Sequence, residues 1–174
     1  EILGAQAVGT DGVDRRIDVI ATAMRAGLKA ADLIDLDLAY APPYGQAKDP
    51  VNQTGMVAHN VATGELILTG PDALTEDMPV LDVRTPGEYA AGHMPNSLNI
   101  PHTQLRDRLD EVRAWVDENA GEQPFVVMCA AGVRSWIGYR IVRAAGFDVT
   151  MLSGGIQTLR AWLGDRAATV LVKE

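Results

Sequence analysis

The sequence predicts an α/β fold in which helices flank a parallel sheet. Over the second half of the 174-residue chain, short apolar segments that suit buried strands alternate with segments of helical periodicity. Strands and helices that alternate in this way form βαβ units, which place their strands parallel in one sheet. The composition agrees, because 47% hydrophobic and 22% charged residues are typical of a globular domain.

Three short apolar segments are predicted to be strands, at 79–83, 124–128 and 149–152. Helices are predicted where apolar residues recur every three or four positions, at 105–116, 137–144 and 156–163. Gly146 is predicted to end the second of these helices. The order of these elements is the one expected of a parallel sheet covered on both faces.

The first sixty residues follow another pattern. Apolar positions recur at helical spacing over 14–25, a second helical stretch covers 31–38, and residues 3–8 resemble a strand. Asp49 and Pro50 are typical of an N-cap and a first helical residue, so a third helix is predicted over 51–58.

Residues 61–78 are predicted to be a linker. They are polar and rich in turn signals, with Thr63-Gly64 and Gly70-Pro71-Asp72 on either side of a short apolar run. We therefore divide the chain into a first part, 1–60, the linker, 61–78, and a second domain, 79–174.

The charge and composition exclude several classes of function. A net charge of −8 argues against nucleic acid as a partner, because phosphates are bound through clustered Lys and Arg. The single cysteine cannot form an intramolecular disulfide, which favours a reducing compartment such as the cytoplasm. We expect no contact with a membrane, because the sequence has no apolar run of about eighteen residues.

The single cysteine, Cys129, comes directly after the predicted strand 124–128. In a parallel α/β sheet, ligands bind at the carboxyl ends of the strands. The small residues Ala130, Ala131 and Gly132 let the following loop fold tightly, and Gly132 can take the positive φ that such a turn needs. The backbone N–H groups of the loop then point inward and form an anion-binding nest.

The rest of this loop suggests chemistry for the sulfur. The segment continues with Val133, Arg134 and Ser135, and we predict that Ser135 is the N-cap of the next helix. The inward N–H groups, the helix N-terminus and Arg134 all favour a thiolate, so the pKa of Cys129 is expected below that of a free cysteine. Such a thiolate could take sulfur from thiosulfate or another persulfide and pass it to a thiol, cyanide or a protein cysteine.

Other interpretations of the same residues stay open. An isolated cysteine is more often a small buried hydrophobe, although the Cys-x-x-Gly-x-Arg-Ser context favours the reactive one. A cysteine phosphatase or arsenate reductase uses a similar loop, but typically one residue longer than the four residues between Cys129 and Arg134. The fold could also act only as an inactive binding or dimerisation module.

Four polar residues near the first strand of this domain invite an acid–base role: Asp82, Arg84, Glu88 and His93. We expect them instead to fix a turn through hydrogen bonds, because buried polar groups near a strand end usually do so. The three histidines of the chain, at positions 59, 93 and 102, show no metal-ligand spacing, and no metal is predicted.

Several ordered motifs together resemble the rhodanese homology domain. They are Leu81-Asp-Val-Arg84, Gly87-Glu-Tyr89, Gly92-His-Met-Pro-Asn-Ser-Leu-Asn-Ile-Pro101, Cys129-Ala-Ala-Gly-Val-Arg134-Ser and Leu152-Ser-Gly-Gly-Ile156. The resemblance implies a rhodanese-like parallel sheet, a persulfide on Cys129, and sulfane-sulfur transfer from a donor to a thiol acceptor. It also implies that residues 130–134 form the persulfide-binding loop.

The first part is similar to the C-terminal half of the dimerisation domain, an α+β domain, of coenzyme A-disulfide reductases and related NADH oxidases. The similarity rests on Gly4-Ala-Gln-Ala-Val8-Gly, Gly12-Val-Asp-Arg-Arg-Ile-Asp-Val-Ile-Ala21, Leu38-Ala-Tyr-Ala-Pro-Pro-Tyr44 and Lys48-Asp-Pro-Val51-Asn. It implies a homodimer through residues 1–60, with Tyr40 and Tyr44 contributing to a reductase site across the dimer.

The same similarity implies FAD, NAD(P)H and coenzyme A for a longer parent protein. These 174 residues contain no Gly-x-Gly-x-x-Gly fingerprint and start without methionine, so we interpret the chain as a fragment that needs no cofactor of its own. Because half a domain leaves an apolar face uncovered, a dimer or disorder is expected for the first sixty residues.

Overall fold

The computed structural model describes residues 1–121 and 123–173. The chain forms two compact units, Glu1–Leu66 and Ile67–Glu174. Among the described residues, no helix has both the length and the apolar character needed to cross a membrane.

The first unit is helical. It contains α1 (Val13–Arg25), a 3₁₀ helix (Ala30–Asp35) and α2 (Pro50–Ala62). Asp49 caps α2 as predicted, since its side chain accepts a hydrogen bond of 3.0 Å from the Val51 backbone N–H. A small core joins the three elements and consists of Ile20, Ala23, Leu33 and Val51.

One prediction for this unit is wrong, and a second is confirmed only in part. Residues 3–8 have no regular secondary structure, because the fully described segment 1–66 offers no other strand with which they could pair. The helix predicted over 31–38 is a 3₁₀ helix that ends at Asp35, and Asp32 tightens its start by accepting a 2.7 Å hydrogen bond from the Lys29 N–H. The regular secondary structure of this unit is therefore helical.

The second unit contains a five-stranded sheet with the order β1-β5-β4-β2-β3. Its strands are β1 (Leu68–Thr69), β2 (Val80–Asp82), β3 (Ser97–Asn99), β4 (Phe125–Met128) and β5 (Val149–Leu152). The helices are α3 (Pro86–Ala90), a 3₁₀ helix (Leu105–Arg108), α4 (Leu109–Asn119), α5 (Val133–Ala144), α6 (Gly155–Leu163), a second 3₁₀ helix (Gly164–Arg166) and α7 (Ala167–Val170). All four strand pairs are parallel, which confirms the predicted α/β fold.

The segment 61–78, predicted to be a linker, contains regular structure. Its first two residues complete α2, and β1 pairs in register with β5 at the edge of the sheet, with Leu68 opposite Met151. The segment therefore contributes residues to both units, and the chain divides between Leu66 and Ile67.

The central strand β4 is buried along its whole length. Val126 and Met128 pack on one face of the sheet against Ile156 and Leu159 of α6. On the other face, Gly138 lets α5 approach closely, since a Cβ at this position would lie 3.3 Å from Val127. The two helices hold the end of β4 in place, and the residue that follows it is Cys129.

Candidate active site

Cys129 lies at the carboxyl end of the central strand β4. In the sheet, β2 and β4 are neighbours. From β2 the chain continues to β3 on one side, and from β4 it continues to β5 on the other side. This arrangement makes the gap between β2 and β4 the point where the order of the strands reverses. Ligands of open parallel sheets bind at such points, outside the carboxyl ends of the strands.

Hydrogen-bond donors surround the sulfur. The Gly132 backbone N–H donates to Sγ of Cys129 over 3.1 Å, and Oγ of Ser135 lies 3.4 Å from the same sulfur. The backbone N–H groups of Ala131 and Ser135 also favour a negative charge on it. Gly132 has a φ of 131°, which glycine tolerates and other residues rarely adopt. The loop therefore forms a nest of amides around one sulfur atom.

The electrostatics of this nest favour the thiolate. Burial by itself raises the pKa of Cys129, because a charged sulfur loses its hydration. The Ser135 hydroxyl and the backbone N–H groups of Gly132, Ser135 and Ala131 together outweigh burial, so the pKa lies below its ordinary value. The residue is only 1% exposed, so protein dipoles replace water as the stabilising partners of the charge.

Ser135 has a different role from the predicted one. The helix α5 begins at Val133 with Gly132 as its N-cap, so Ser135 is its third residue and is fully buried. The Ser135 hydroxyl donates to the Gly132 carbonyl oxygen at 2.8 Å. The S–H group of a neutral Cys129 donates to Ser135 Oγ, whereas a thiolate accepts the hydroxyl hydrogen instead. Ser135 can therefore follow the charge state of the sulfur by rotating one bond.

Arg134 also departs from expectation, because its guanidinium forms hydrogen bonds with a carboxylate rather than with the sulfur of Cys129. Its two terminal guanidinium nitrogens donate to the two carboxylate oxygens of Glu88, each over 2.7 Å. The hydrogen bonds from Arg134 lower the pKa of Glu88 to about 2, although the partial burial of Glu88 acts in the opposite direction. The pair therefore stays charged at neutral pH. The charge on Cys129 contributes to the raised pKa of Arg134, although less than Glu88 does.

Asp82 and Arg84 form a buried ion pair beneath the site. Nε and one terminal nitrogen of Arg84 donate to the Asp82 carboxylate, with the shortest distance 2.6 Å. Arg84 also donates to two backbone carbonyl oxygens of the following turn, at 2.9 Å each. His93 is buried, stacks on Tyr89 with ring centres 3.8 Å apart, and bonds the Tyr89 carbonyl oxygen through Nδ1. These contacts fix the turn, as predicted.

Gly155 is a site residue that the sequence analysis did not single out. It has a φ of 61°, and a Cβ added to it would lie 2.6 Å from the carbonyl oxygens of both Cys129 and Ala130. This close approach lets the same two oxygens accept hydrogen bonds from the Ile156 and Gln157 N–H groups at 2.9 and 3.1 Å. The start of α6 therefore fixes the backbone of the cysteine loop through these two hydrogen bonds. The signal was the pair Gly154-Gly155, which begins two residues after the last residue of a predicted strand.

Tyr40 and Tyr44 belong to the first unit. Both side chains are exposed, by 54% and 77%, near the Pro42-Pro43 turn. Their predicted role in a reductase site stays a prediction. Within 1–121 and 123–173, no group of three or more His, Cys, Asp or Glu side chains is arranged to hold a metal ion.

Residues 70–161 match the family model of the rhodanese-like domain, and the chain belongs to this family. Two curated relatives are coenzyme A disulfide reductases. That of Staphylococcus aureus (strain bovine RF122 / ET3-1) is 48% identical over 58 residues, 33% of this chain and 13% of the relative. That of Staphylococcus haemolyticus (strain JCSC1435) is 47% identical over 60 residues, 34% of this chain and 14% of the relative. The chain thus spans only a small part of the relatives it matches.

Solved structures cover much more of the chain. Reduced CoADR-RHD of Bacillus anthracis is 38% identical with a TM-score of 0.81, over 90% of this chain and 28% of that one. An NAD-dependent persulfide reductase from A. fulgidus is 40% identical with a TM-score of 0.74, over 85% and 26%. A rhodanese-related protein from Thermoplasma volcanium is 28% identical with a TM-score of 0.50, over 62% and 99%.

Proposed function

We propose that the rhodanese-like domain is a sulfurtransferase that relays sulfur as a persulfide on Cys129. The observation that carries this proposal is the nest of backbone N–H groups and the Ser135 hydroxyl around a single buried sulfur. Dipoles held in place before the reaction stabilise charge on the sulfur without reorganisation. They suit both the thiolate that attacks and the persulfide anion that it becomes.

The proposed reaction has two steps. The Cys129 thiolate attacks the outer sulfur of a donor R–S–SH, an S–S bond to Cys129 forms, and the donor S–S bond breaks as R–S⁻ leaves with the electron pair. In the second step an acceptor thiolate attacks the outer sulfur of the Cys129 persulfide. The Cys129 thiolate then leaves, and an acceptor persulfide is formed. No net oxidation occurs, and the protein needs no metal or organic cofactor for these steps.

The geometry favours sulfur transfer over phosphate or arsenate chemistry. Four residues separate Cys129 from Arg134, and the amides converge on the position of one sulfur atom. A tetrahedral oxyanion would need further donors, and the guanidinium of Arg134 that could supply them is held by Glu88. Sulfur transfer is therefore the function that this loop supports best.

We further propose that the domain serves a larger flavin-dependent reductase of coenzyme A disulfide, persulfides or polysulfides. The names of the similar proteins support this, since they include coenzyme A disulfide reductases and an NAD-dependent persulfide reductase. In this proposal FAD, NAD(P)H and coenzyme A bind to the whole protein, which acts in the cytoplasm.

We also propose that residues 1–60 belong to a dimerisation domain and join two copies of the chain. The support is the exposure of large apolar side chains in this part, including Leu3, Val8 and Tyr44. Tyr40 and Tyr44 would then contribute to the reductase site of the partner. Sedimentation equilibrium tests this point, because a dimer is expected at micromolar concentration and a monomer would overturn it.

Sulfur turnover tests the main proposal. The protein is incubated with thiosulfate or with 2-hydroxyethyl persulfide as donor and cyanide as acceptor, and thiocyanate is measured. Turnover is expected for the parent chain and its complete loss for Cys129→Ser. Equal rates for the two proteins would show that the sulfur does not pass through Cys129.

A further inference from the structure

We propose that Glu88 sets the donor selectivity of the Cys129 site, because it neutralises Arg134 and so disfavours donors with two negative charges. This inference rests on the proposed sulfur transfer and adds a residue that determines which donors are used. Glu88 does not touch the sulfur. It acts through Arg134, which makes it a positioning and charge-setting residue.

The first observation is the geometry of the ion pair. Both terminal nitrogens of Arg134 donate to Glu88, one to each carboxylate oxygen and each over 2.7 Å. A bidentate pair of this kind holds the guanidinium plane in a fixed orientation. The cation next to the cysteine loop therefore already has its counter-ion, and the charge of the pair sums to zero.

The second observation is that Glu88 is held in place from its other side. One of its carboxylate oxygens accepts hydrogen bonds from the backbone N–H and the hydroxyl of Thr85, at 3.0 and 2.9 Å. Thr85 in turn caps α3, so the carboxylate takes part in a complete capping box. Since the carboxylate is anchored to the start of a helix, it is positioned to hold Arg134 whether or not a donor is bound.

The third observation concerns the surface of the loop. Its solvent-facing side chains are those of Ala131 and Val133, and Val133 is 71% exposed. Neither carries a charge, and the whole chain has a net charge of −8. A donor that approaches Cys129 therefore meets small apolar side chains beside a neutralised arginine.

These features affect donors unequally. Thiosulfate brings two negative charges to a thiolate, and its sulfite group leaves with the electron pair and both charges. An alkyl persulfide brings at most one. A free guanidinium would offset the repulsion of the dianion, whereas the Glu88–Arg134 pair offsets little of it. We therefore expect persulfides to react with Cys129 faster than thiosulfate does.

The test compares two donors in matched variants. The rate of Cys129 persulfide formation is followed by intact mass with thiosulfate and with 2-hydroxyethyl persulfide. Glu88→Gln keeps the capping box, which accepts Glu or Gln, but removes the charge. We expect this variant to raise the ratio of the thiosulfate rate to the persulfide rate by about fivefold to twentyfold. The ratio removes any common effect on the nucleophilicity of Cys129.

Two further variants make the test specific. Glu118→Gln, an exposed residue of α4, changes the net charge equally and should leave the ratio unchanged. Arg134→Gln leaves Glu88 without its cation and should lower the ratio. An unchanged ratio in Glu88→Gln would overturn this inference alone, whatever Arg134→Gln does. If no donor adds sulfur to Cys129 in any of the proteins, the proposed function itself fails.

Discussion

Gly155 lies so close to Cys129 that a Cβ on the glycine would be 2.6 Å from the cysteine carbonyl oxygen. A Cβ at this distance would force the backbone oxygen to move. The start of α6 and the cysteine loop are thus packed backbone against backbone, and the position of Sγ depends on a glycine 26 residues further along the chain.

Gly155→Ala should therefore destabilise the second unit by about 3 kcal/mol or more, because the positive φ and the collision both oppose the side chain. Urea unfolding followed by tryptophan fluorescence measures this, since all three tryptophans, at 115, 136 and 162, lie in this unit. Gly146→Ala is the control. It has a φ of 88° but open space around a Cβ, so it should cost only about 1 to 2 kcal/mol. Equal losses would show that the close approach is unimportant.

Removing the Ser135 hydroxyl should raise the pKa of Cys129. Its hydrogen bond is one of the interactions that lower this pKa against the effect of burial. The rate of alkylation by iodoacetamide against pH reports the thiolate directly, because Cys129 is the only cysteine. We expect the profile of Ser135→Ala to move to higher pH. Thr169→Ala removes a comparable hydroxyl that bonds an i−3 carbonyl oxygen elsewhere and should not move it. A profile for Ser135→Ala that coincides with the parent would contradict the role of the hydroxyl.

The Glu88–Arg134 pair should make stability depend on acid pH. The pKa of Glu88 falls from 4.5 to about 2 on folding, so the unfolded chain binds the proton more readily. The stabilisation is complete above about pH 4.5 and is lost as the pH falls toward 2. The difference in unfolding free energy between the parent and Glu88→Gln should therefore shrink between pH 5 and 3, as read from urea titrations. A difference that grows toward acid pH would have the wrong sign.

Asp82→Asn should destabilise the second unit strongly, because it leaves the buried Arg84 guanidinium without its counter-charge. Breaking a buried ion pair from one side typically costs about 3 to 5 kcal/mol. The same change on an exposed pair, Glu111→Gln opposite Arg108, should cost about 1 kcal/mol or less. If the two variants unfold at the same urea concentration, the buried pair does not support the turn as described.

The sequence predicts the central sheet well, because its main strands are buried on both faces. Their continuous apolar segments predict β2, β4 and β5, and the structure confirms them. The edge strands β1 and β3 have only two and three residues, and their side chains are half-buried. Unlike the equally short β2, they lie in no continuous apolar segment that suits a buried strand, so no pattern marks them as strands.

Part of the candidate site can also be predicted from local sequence patterns. The position of Cys129 after a strand predicts its place at the sheet edge, and small residues predict the tight loop. The pairing of Arg134 with Glu88 joins residues 46 positions apart, and local patterns carry no information on such contacts. The sequence pattern Thr85-x-x-Glu88 indicates a capping box at the start of a helix, but it does not indicate that Glu88 pairs with an arginine.

The central claim is that Cys129 holds a transferable sulfur atom. Intact-mass spectrometry after incubation with a persulfide donor and removal of the excess tests it most directly. The parent chain should gain the mass of one sulfur atom, lose it on treatment with a thiol, and show neither change as Cys129→Ser. A parent chain whose mass stays constant with each donor would contradict the account.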